Sequence, residues 1–390
     1  MVTGAPIADA TLRLLIFSGM PRLSRLLLGG SALIAAPLLA LPAGLSLPLA
    51  ESPALCPTPS RPSGATRVAA AAASRVIVIS VDGLRPDAVA ALGPAGAPVL
   101  HRMRADGAST HNARADWSRT VTVPNHASML TGRGVEGRCG HGWTGNVEPE
   151  PGETLHTNRG AYVASLFDVA HDAGRRTALF ASKSKFQVFD LSYASGAGRA
   201  DSTGVDDGPD KLDHYAYLHD TDALTDSLVR TLQSAPFDVA VLHLRDPDSK
   251  GHKSGWDLSP GSPYLSAVRA VDGLVGRVLA AIERDPDRVR TTVILTADHG
   301  GLENGHGGAS DVESFTVPFY VWGAGVAEGA DLYLLNPSAR DDPGTERPAY
   351  SDTVQPVRNG DAANLALDLL GLASVPGSTI NADDAPLRVR

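Results

Sequence analysis

Three aspartates, three histidines and one threonine stand in five short clusters: Asp82 in Val81-Asp-Gly83, Thr122 in Thr122-Val-Pro-Asn-His126, Asp248 and His252 in Asp248-Ser-Lys-Gly-His252, Asp298 and His299 in Ala297-Asp-His-Gly-Gly301, and His306 in Gly305-His-Gly-Gly308. Carboxylate oxygens and imidazole nitrogens drawn from several loops are what a hard or borderline divalent metal needs. Asp248 and His252 are four residues apart and can share one ion if Gly251 turns the chain back. Asp298 and His299 are adjacent, so their side chains diverge unless the backbone before Gly300-Gly301 is irregular. None of the 12 histidines lies beyond His306, so a third imidazole downstream of Asp298-His299 has to be His306. Thr122 is the candidate nucleophile. Pro124 suits a first turn and 125–130 reads as helix, which sets the hydroxyl at a helix N-terminus where backbone N–H groups favour an anion. A threonine hydroxyl attacks phosphorus only when its pKa is lowered, and metal coordination does that. Thr120 is a rival, and an ordinary helix cap is the plain alternative for Thr122. Taken singly, an Asp-Gly after a strand is usually a turn and an Asp/His pair in a loop is usually solvated. What sets this chain apart is that all of them occur, and in order.

The elements that must position these clusters alternate short β-branched runs with longer helical stretches, the pattern of an α/β domain over 75–385. The continuous apolar run 75–81 reads as a central strand buried on both faces. Further strands are expected over 177–181, 237–244, 291–296 and 317–322, and helices over 98–106, 162–173, 221–234, 264–284 and 361–370. Three clusters follow a strand directly. Open α/β sheets bind ligands at the carboxyl ends of their strands, so the clusters are expected to meet in one crevice. The polar, Gly-rich and acidic stretch 196–212 reads as a loop or small lid over that crevice. His126, His141, His214 and His219 read as hydrogen-bonding or surface residues rather than ligands.

Together these motifs resemble the alkaline phosphatase superfamily and, within it, the type I phosphodiesterase/nucleotide pyrophosphatase-like branch, over roughly residues 75–380. That branch joins an Asp-Gly after the first strand to a Thr-Phe-Pro-Asn-His segment, a His-Gly-x-x-x-Asn, an Asp-x-x-Gly-His and an Asp-His-Gly; here they are Asp82-Gly83, 122–126, His141-Gly-Trp-Thr-Gly-Asn146, 248–252 and 298–300, in the same order. The resemblance implies a three-layer α/β/α fold with a mostly parallel central sheet. It also implies one zinc on Asp82, Thr122, Asp298 and His299, a second on Asp248, His252 and His306, and an Asn146 amide that donates to a phosphoryl oxygen. Val123 replaces the aromatic residue that stacks a base in nucleotide-hydrolysing members, which weakens a nucleotide substrate. The spacing from His299 to His306 is short for the family, and the segment between 126 and 141 is somewhat long. A sulfatase would need Cys or Ser in a Cys/Ser-x-Pro/Ala-x-Arg segment. The expected activity is hydrolysis of a small phosphodiester through a phospho-threonine, with a phosphomonoesterase on the same site as the alternative. For that alternative, Lys183 and Lys185 would pair with the additional charge, unless they are solvated loop lysines. A non-catalytic surface protein is the reading from another class, and the intact ligand set argues against it.

With 34 Lys+Arg against 43 Asp+Glu, the formal charge of -9 repels a phosphate backbone, so no long nucleic acid is expected as a partner. A basic start at 20–25 followed by an uncharged run over 26–50 reads residues 1–54 as an export signal, with a Pro/Ser/Ala-rich linker over 55–74. The expected location is outside the cytoplasm. An uncleaved membrane anchor is the alternative, because the run is long, although Pro37, Pro42 and Pro48 interrupt it. Membrane contact is expected only in that case. Cys56 and Cys139 are the sole cysteines, and a disulfide between them stays open.

Overall fold

Strand β1 (Arg75–Val81) is buried along its whole length and lies inside an eight-stranded sheet. The structure is a computed structural model that describes residues 71–194, 196–203, 205, 207–234, 237–284, 290–382 and 386–390. The proposed signal segment, most of the linker and Cys56 fall outside the described residues. The other strands are β2 (Ala108–Arg114), β3 (Thr177–Ala181), β4 (His214–Tyr217), β5 (Val239–Leu244), β6 (Thr291–Thr296), β7 (Thr316–Gly323) and β8 (Ala330–Asp331), in the order β4-β3-β5-β1-β6-β7-β2-β8. Only β7 runs against its neighbours, so the sheet is mostly parallel. Seven parallel strands demand crossovers, and the helices supply them.

The helices are α1 (Pro86–Gly96), α2 (Pro98–Ala105), α3 (Thr122–Thr131), α4 (Leu155–Arg159), α5 (Leu166–Asp172), α6 (Gln187–Tyr193), α7 (Thr221–Ser234), α8 (Asp246–Ser254), α9 (Pro263–Glu283), α10 (Val312–Phe315), α11 (Leu332–Leu335) and α12 (Asp361–Leu369). Helices α1, α2, α7 and α8 pack against α9, whereas α3 and α5 pack against α12, which gives a layer on each face of the sheet. The three-layer α/β/α reading therefore holds. Val76, Ile77, Val78 and Ile79 are fully or almost fully buried between the layers, and each such side chain contributes roughly 1.5–3 kcal/mol. An Ile79→Ala change would cost about 2–5 kcal/mol.

Register is what aligns the site. Ser80 lies opposite His243 of β5 and opposite Thr296 of β6, so the central strands end level and deliver their following residues to one edge. Some expected boundaries shift. The helix expected over 162–173 begins at Leu166, because the Ser165 hydroxyl accepts from Phe167 N at 3.2 Å and Asp168 closes a capping box. The strand expected from 237 begins at Val239.

Two expectations are overturned. Residues 246–254 form helix α8 rather than a loop that doubles back at Gly251, so Asp248 and His252 share a face through helical i, i+4 spacing. Gly251 is needed for packing instead of turning, since a Cβ there would collide with the Trp256 indole. The 196–212 stretch is not a lid over the crevice. Lys211 O accepts from the Thr177 hydroxyl at 2.8 Å and Asp213 accepts from Thr177 N at 2.7 Å, which ties this segment to the amino end of β3. A connection between parallel strands must return to that end before β4 starts.

Candidate metal centre

Asp82 follows β1 and is completely buried. The turn after it requires Gly83, whose φ is +72° and whose added Cβ would lie 2.9 Å from the Asp248 backbone. Trp256 Nε1 and the Tyr264 hydroxyl both donate to Gly83 O at 2.9 Å, which fixes this turn against the segment after α8 and against α9. Asp248 N donates to Asp82 O at 3.0 Å, and Gly83 N donates to Asp298 Oδ1 at 3.1 Å. The three aspartates are thus stitched together by main chain before any cation is considered.

Four buried ligand atoms in this cluster have no hydrogen-bond partner: Asp82 Oδ1, Asp248 Oδ1, Asp298 Oδ2 and His299 Nε2. Such orphaned atoms cost free energy unless something else satisfies them. His299 Nε2 lies 3.5 Å from Asp82 Oδ1, 3.3 Å from Asp298 Oδ2 and 4.0 Å from Asp248 Oδ1. Asp82, Asp298 and His299 form one group with metal-binding geometry, and Asp248, His299 and His306 form another. His252 joins the second, with Nε2 3.3 Å from Asp248 Oδ1 and 3.1 Å from His306 Nε2. Asp298 and His299 do not diverge as adjacent residues would on a regular strand.

Each imidazole is aimed by a main-chain carbonyl. Nδ1 of His299 pairs with Gly300 O at 2.8 Å, Nδ1 of His252 with Asn304 O at 3.1 Å, and Nδ1 of His306 with Thr120 O. This anchoring sets the tautomer that presents Nε2 inward, the usual support of a metal-binding histidine. Burial, with help from His306, lowers the His299 pKa to about 3, and burial also lowers that of His306. Both rings stay neutral, the form that binds a metal. The carboxylates split in opposite directions. Burial pushes Asp298 well above the usual range and the Asp82 charge adds to it, whereas Asp82 is held well below that range because Lys183 and His243 outweigh burial. Three buried carboxylates facing one ammonium leave negative charge to be compensated, and the donor set of oxygens and imidazole nitrogens suits divalent cations.

Thr122 is the first residue of α3, after an extended Val121 with φ -133° and ψ 156°. The N-cap position falls on Val121, whose side chain cannot cap, so Thr122 is not the helix cap. Instead Lys183 Nζ donates to Thr122 Oγ1 at 3.3 Å. The rival Thr120 is turned away, because its hydroxyl donates to His306 O. The Asn146 oxygen accepts from Val123 N at 3.1 Å and from Lys185 Nζ at 2.8 Å, which leaves the amide nitrogen as the donor end. Lys183 Nζ also lies 2.6 Å from both Asp82 Oδ2 and Asp248 Oδ2. Burial would lower the Lys183 pKa, but the surrounding carboxylates raise it on balance, so this lysine is a cation. The solvated-loop reading of the lysine pair is therefore corrected.

Asp82, Thr122, Asn146, Asp248, His252, Asp298, His299 and His306 all lie at this one edge. Sequence reasoning missed His243, whose Nε2 donates to Asp82 Oδ2 at 2.9 Å while Nδ1 faces the Ser182 hydroxyl at 3.0 Å. Its signal was an imidazole inside an otherwise apolar strand. Asn359 was missed too; its amide donates to Ala297 O and Asp298 O, both at 3.3 Å, and to Asn125 Oδ1 at 3.1 Å, joining the Asp298 loop to α3. His126 is a hydrogen-bonding residue as expected, pairing with Thr122 O at 2.7 Å and with the Ser80 hydroxyl at 2.8 Å.

A sheet with these ligands at its carboxyl edge defines an alkaline phosphatase-like protein. Residues 76–315 match the family described as type I phosphodiesterase/nucleotide pyrophosphatase, and the chain belongs to that family. Among solved structures, murine ectonucleotide pyrophosphatase/phosphodiesterase 5, an inactive variant in complex with AMP, aligns with a TM-score of 0.53 and 15% identity over 78% of this chain and 96% of that one. A 2-O GAG sulfatase aligns with a TM-score of 0.53 and 17% identity over 81% of this chain and 74% of its own. Both likenesses concern the fold. A 2,3-bisphosphoglycerate-independent phosphoglycerate mutase of Shewanella amazonensis is 26% identical over 62% of this chain and 44% of its own, and that of Shewanella denitrificans is 36% identical over 20% and 14%. The chain spans less than half the length of these curated relatives.

Proposed function

We propose that this protein is an exported, two-zinc phosphoric ester hydrolase that works through a phospho-threonine at Thr122. The observation that carries the reading is the convergence of four buried, partnerless ligand atoms, together with a threonine hydroxyl touched by a largely withdrawn, ion-paired lysine. Asp82, Thr122, Asp298 and His299 would hold one ion, and Asp248, His252 and His306 the other. The ions would supply Lewis acidity toward the phosphoryl oxygens and lower the pKa of the threonine hydroxyl. Lys183 holds positive charge against Thr122 Oγ1, favouring the alkoxide. That oxygen attacks phosphorus, an Oγ–P bond forms, and the bond to the alcohol breaks. Asn146, pinned by its oxygen, donates its amide to a phosphoryl oxygen as charge builds there. Water then cleaves the Oγ–P bond and restores the hydroxyl.

Family membership and the murine relative's AMP complex support a small phosphoester as substrate, of phosphodiester or pyrophosphate type. One observation favours a monoester: Lys183 and Lys185 both bear on the nucleophile, the first on Thr122 Oγ1 and the second through Asn146, matching the added negative charge of a terminal phosphate. Val123 is fully buried and so offers no stacking surface for a base. Export is supported by the sequence pattern of residues 1–54 alone. Metal analysis combined with turnover of bis-p-nitrophenyl phosphate and p-nitrophenyl phosphate tests the reading. About two ions per chain and chelator-sensitive turnover are expected, with His306→Ala losing one ion and most activity while staying folded. Chelator-insensitive turnover, or full metal content in the His306 variant, would contradict it.

A further inference from the structure

Beside Thr122 a cleft of about 420 Å³ opens between the carboxyl ends of β3, β4 and β5, lined by Val147, Glu148, Lys183, Lys185, Tyr217 and Arg245, with His219 at its side. Its size is that of a small-molecule site. Its charge is unusual. Lys183 is ion-paired with Asp82 and Asp248, but neither Lys185 nor Arg245 has a carboxylate within salt-bridge distance among the described residues. The single acid of the lining, Glu148, accepts from the Ser184 hydroxyl. Arg245 Nη1 faces His219 Nδ1 at 3.2 Å, and Arg245 Nε is buried with no hydrogen-bond partner. Burial and the neighbouring Lys183 charge lower the Lys185 pKa, so an anion placed here would relieve a standing repulsion.

A guanidinium half-withdrawn from water, with an idle N–H and no acid beside it, is stable chiefly when an anion arrives. Lys185 is committed to the phosphoryl side through Asn146 Oδ1. Arg245 stands at the end of a different strand and touches none of the residues that would hold metal or phosphorus. We propose that Arg245, with His219 beside it, binds a second anionic group on the leaving-group side of the substrate, so that the preferred substrate is a phosphoester whose alcohol carries a carboxylate or a second phosphate. This rests on reading the Thr122 centre as the phosphoester site. Arg245 acts as a positioning residue: its fork holds the leaving group's anion, and the exposed Tyr217 ring covers the organic body between the two charges.

The test compares carboxymethyl phosphate with ethyl phosphate, two monoesters that differ in a carboxylate against a methyl group. In the full chain carrying Thr122→Ala, so that nothing turns over, calorimetry should give at least about tenfold tighter binding of carboxymethyl phosphate, as one charge-assisted pair implies. Adding Arg245→Gln should bring the two affinities within about threefold of each other, while Arg245→Gln alone hydrolyses p-nitrophenyl phosphate within about twofold of the parent. Equal affinities with Arg245 present would overturn the proposal, as would an Arg245→Gln variant that keeps the full preference. If the binding preference is found but no phosphoester is hydrolysed, the hydrolase reading fails, and Arg245 stands as an anion-binding residue while its role toward a substrate falls with that reading. Hydrolysis without the preference has the opposite meaning.

Discussion

Lys183 follows the carboxyl end of β3 and Lys211 packs at its amino end, and each ammonium lies between two aspartates. Lys211 is fully buried and pairs with Asp172 and Asp201, and its Nζ donates to Gly208 O at 2.9 Å. The second oxygen of Asp172 is already used, accepting from Ser202 N at 2.9 Å and from the Ser202 hydroxyl at 2.8 Å. At the other end Lys183 takes Oδ2 of Asp82 and of Asp248 and leaves Oδ1 of both idle, facing His299. The same ion-pair chemistry thus has two outcomes. Where the ammonium faces Oδ1 of both acids and Ser202 and Asp207 N take the Oδ2 atoms, the lysine closes a loop. Where the Oδ1 atoms turn from the ammonium toward imidazoles and a hydroxyl is within reach, the cluster has the donor set for divalent cations beside a candidate nucleophile.

The largest effect expected from this contrast is at Thr122. Thr122→Ala should lose turnover by at least about 10³-fold, with Thr122→Ser recovering part of it, while the melting temperature stays near that of the parent because the hydroxyl loses only a long contact from Lys183, whose ammonium keeps both aspartates. A fully active alanine variant would erase the distinction between the two ends. The matched lysine pair sharpens it. Lys211→Met should cost about 3–5 kcal/mol of stability in denaturant titrations, since it strands two acids, yet leave kcat unchanged in the folded fraction. Lys183→Met should lose about 10²-fold in kcat/KM with metal-loaded stability close to normal, because bound cations would compensate Asp82 and Asp248 in its place. Reversed outcomes would mean that the wrong end has been read as functional.

How much of this was legible in the sequence depended on whether a residue's role is local. Asp82-Gly83 after an apolar run, and the order of the five clusters, announced the sheet edge at which these side chains meet. Helix α8 was hidden because Gly251 resembles a turn residue, and only its contact with Trp256 explains it. His243 was invisible as a functional residue, since its partner Asp82 is supplied by the parallel register of β1 and β5. The composition of 196–212 correctly announced a loop but carried no information on which end of the sheet it occupies. Topology decides that, and the rule for parallel crossovers pointed to the amino end. Lys183 was ambiguous for the same reason: a lysine after a strand is solvated unless distant carboxylates fold against it.

The smallest expected effect concerns pH at the structural end. Burial opposes ionisation of Asp172, but its hydrogen bonds with Lys211 and Ser202 outweigh it, so the folded pKa lies below the ordinary 3.8. A depressed carboxylate stabilises above the unfolded pKa and loses that contribution as pH falls through the folded value. Protection of the described amides in 196–212 relative to their intrinsic exchange rates should therefore fall below about pH 4, and Asp172→Asn should show the lower protection already at neutral pH. Identical exchange in both proteins would show that the loop is held by something other than this pair.

The central claim is that Thr122 carries the phosphoryl group between two displacements. The most direct measurement is the configuration of phosphorus after turnover of a substrate made chiral at that atom. Two in-line steps through a phospho-threonine require net retention. Net inversion would show a single direct attack by water, contradict the account, and leave Thr122 without the role of nucleophile.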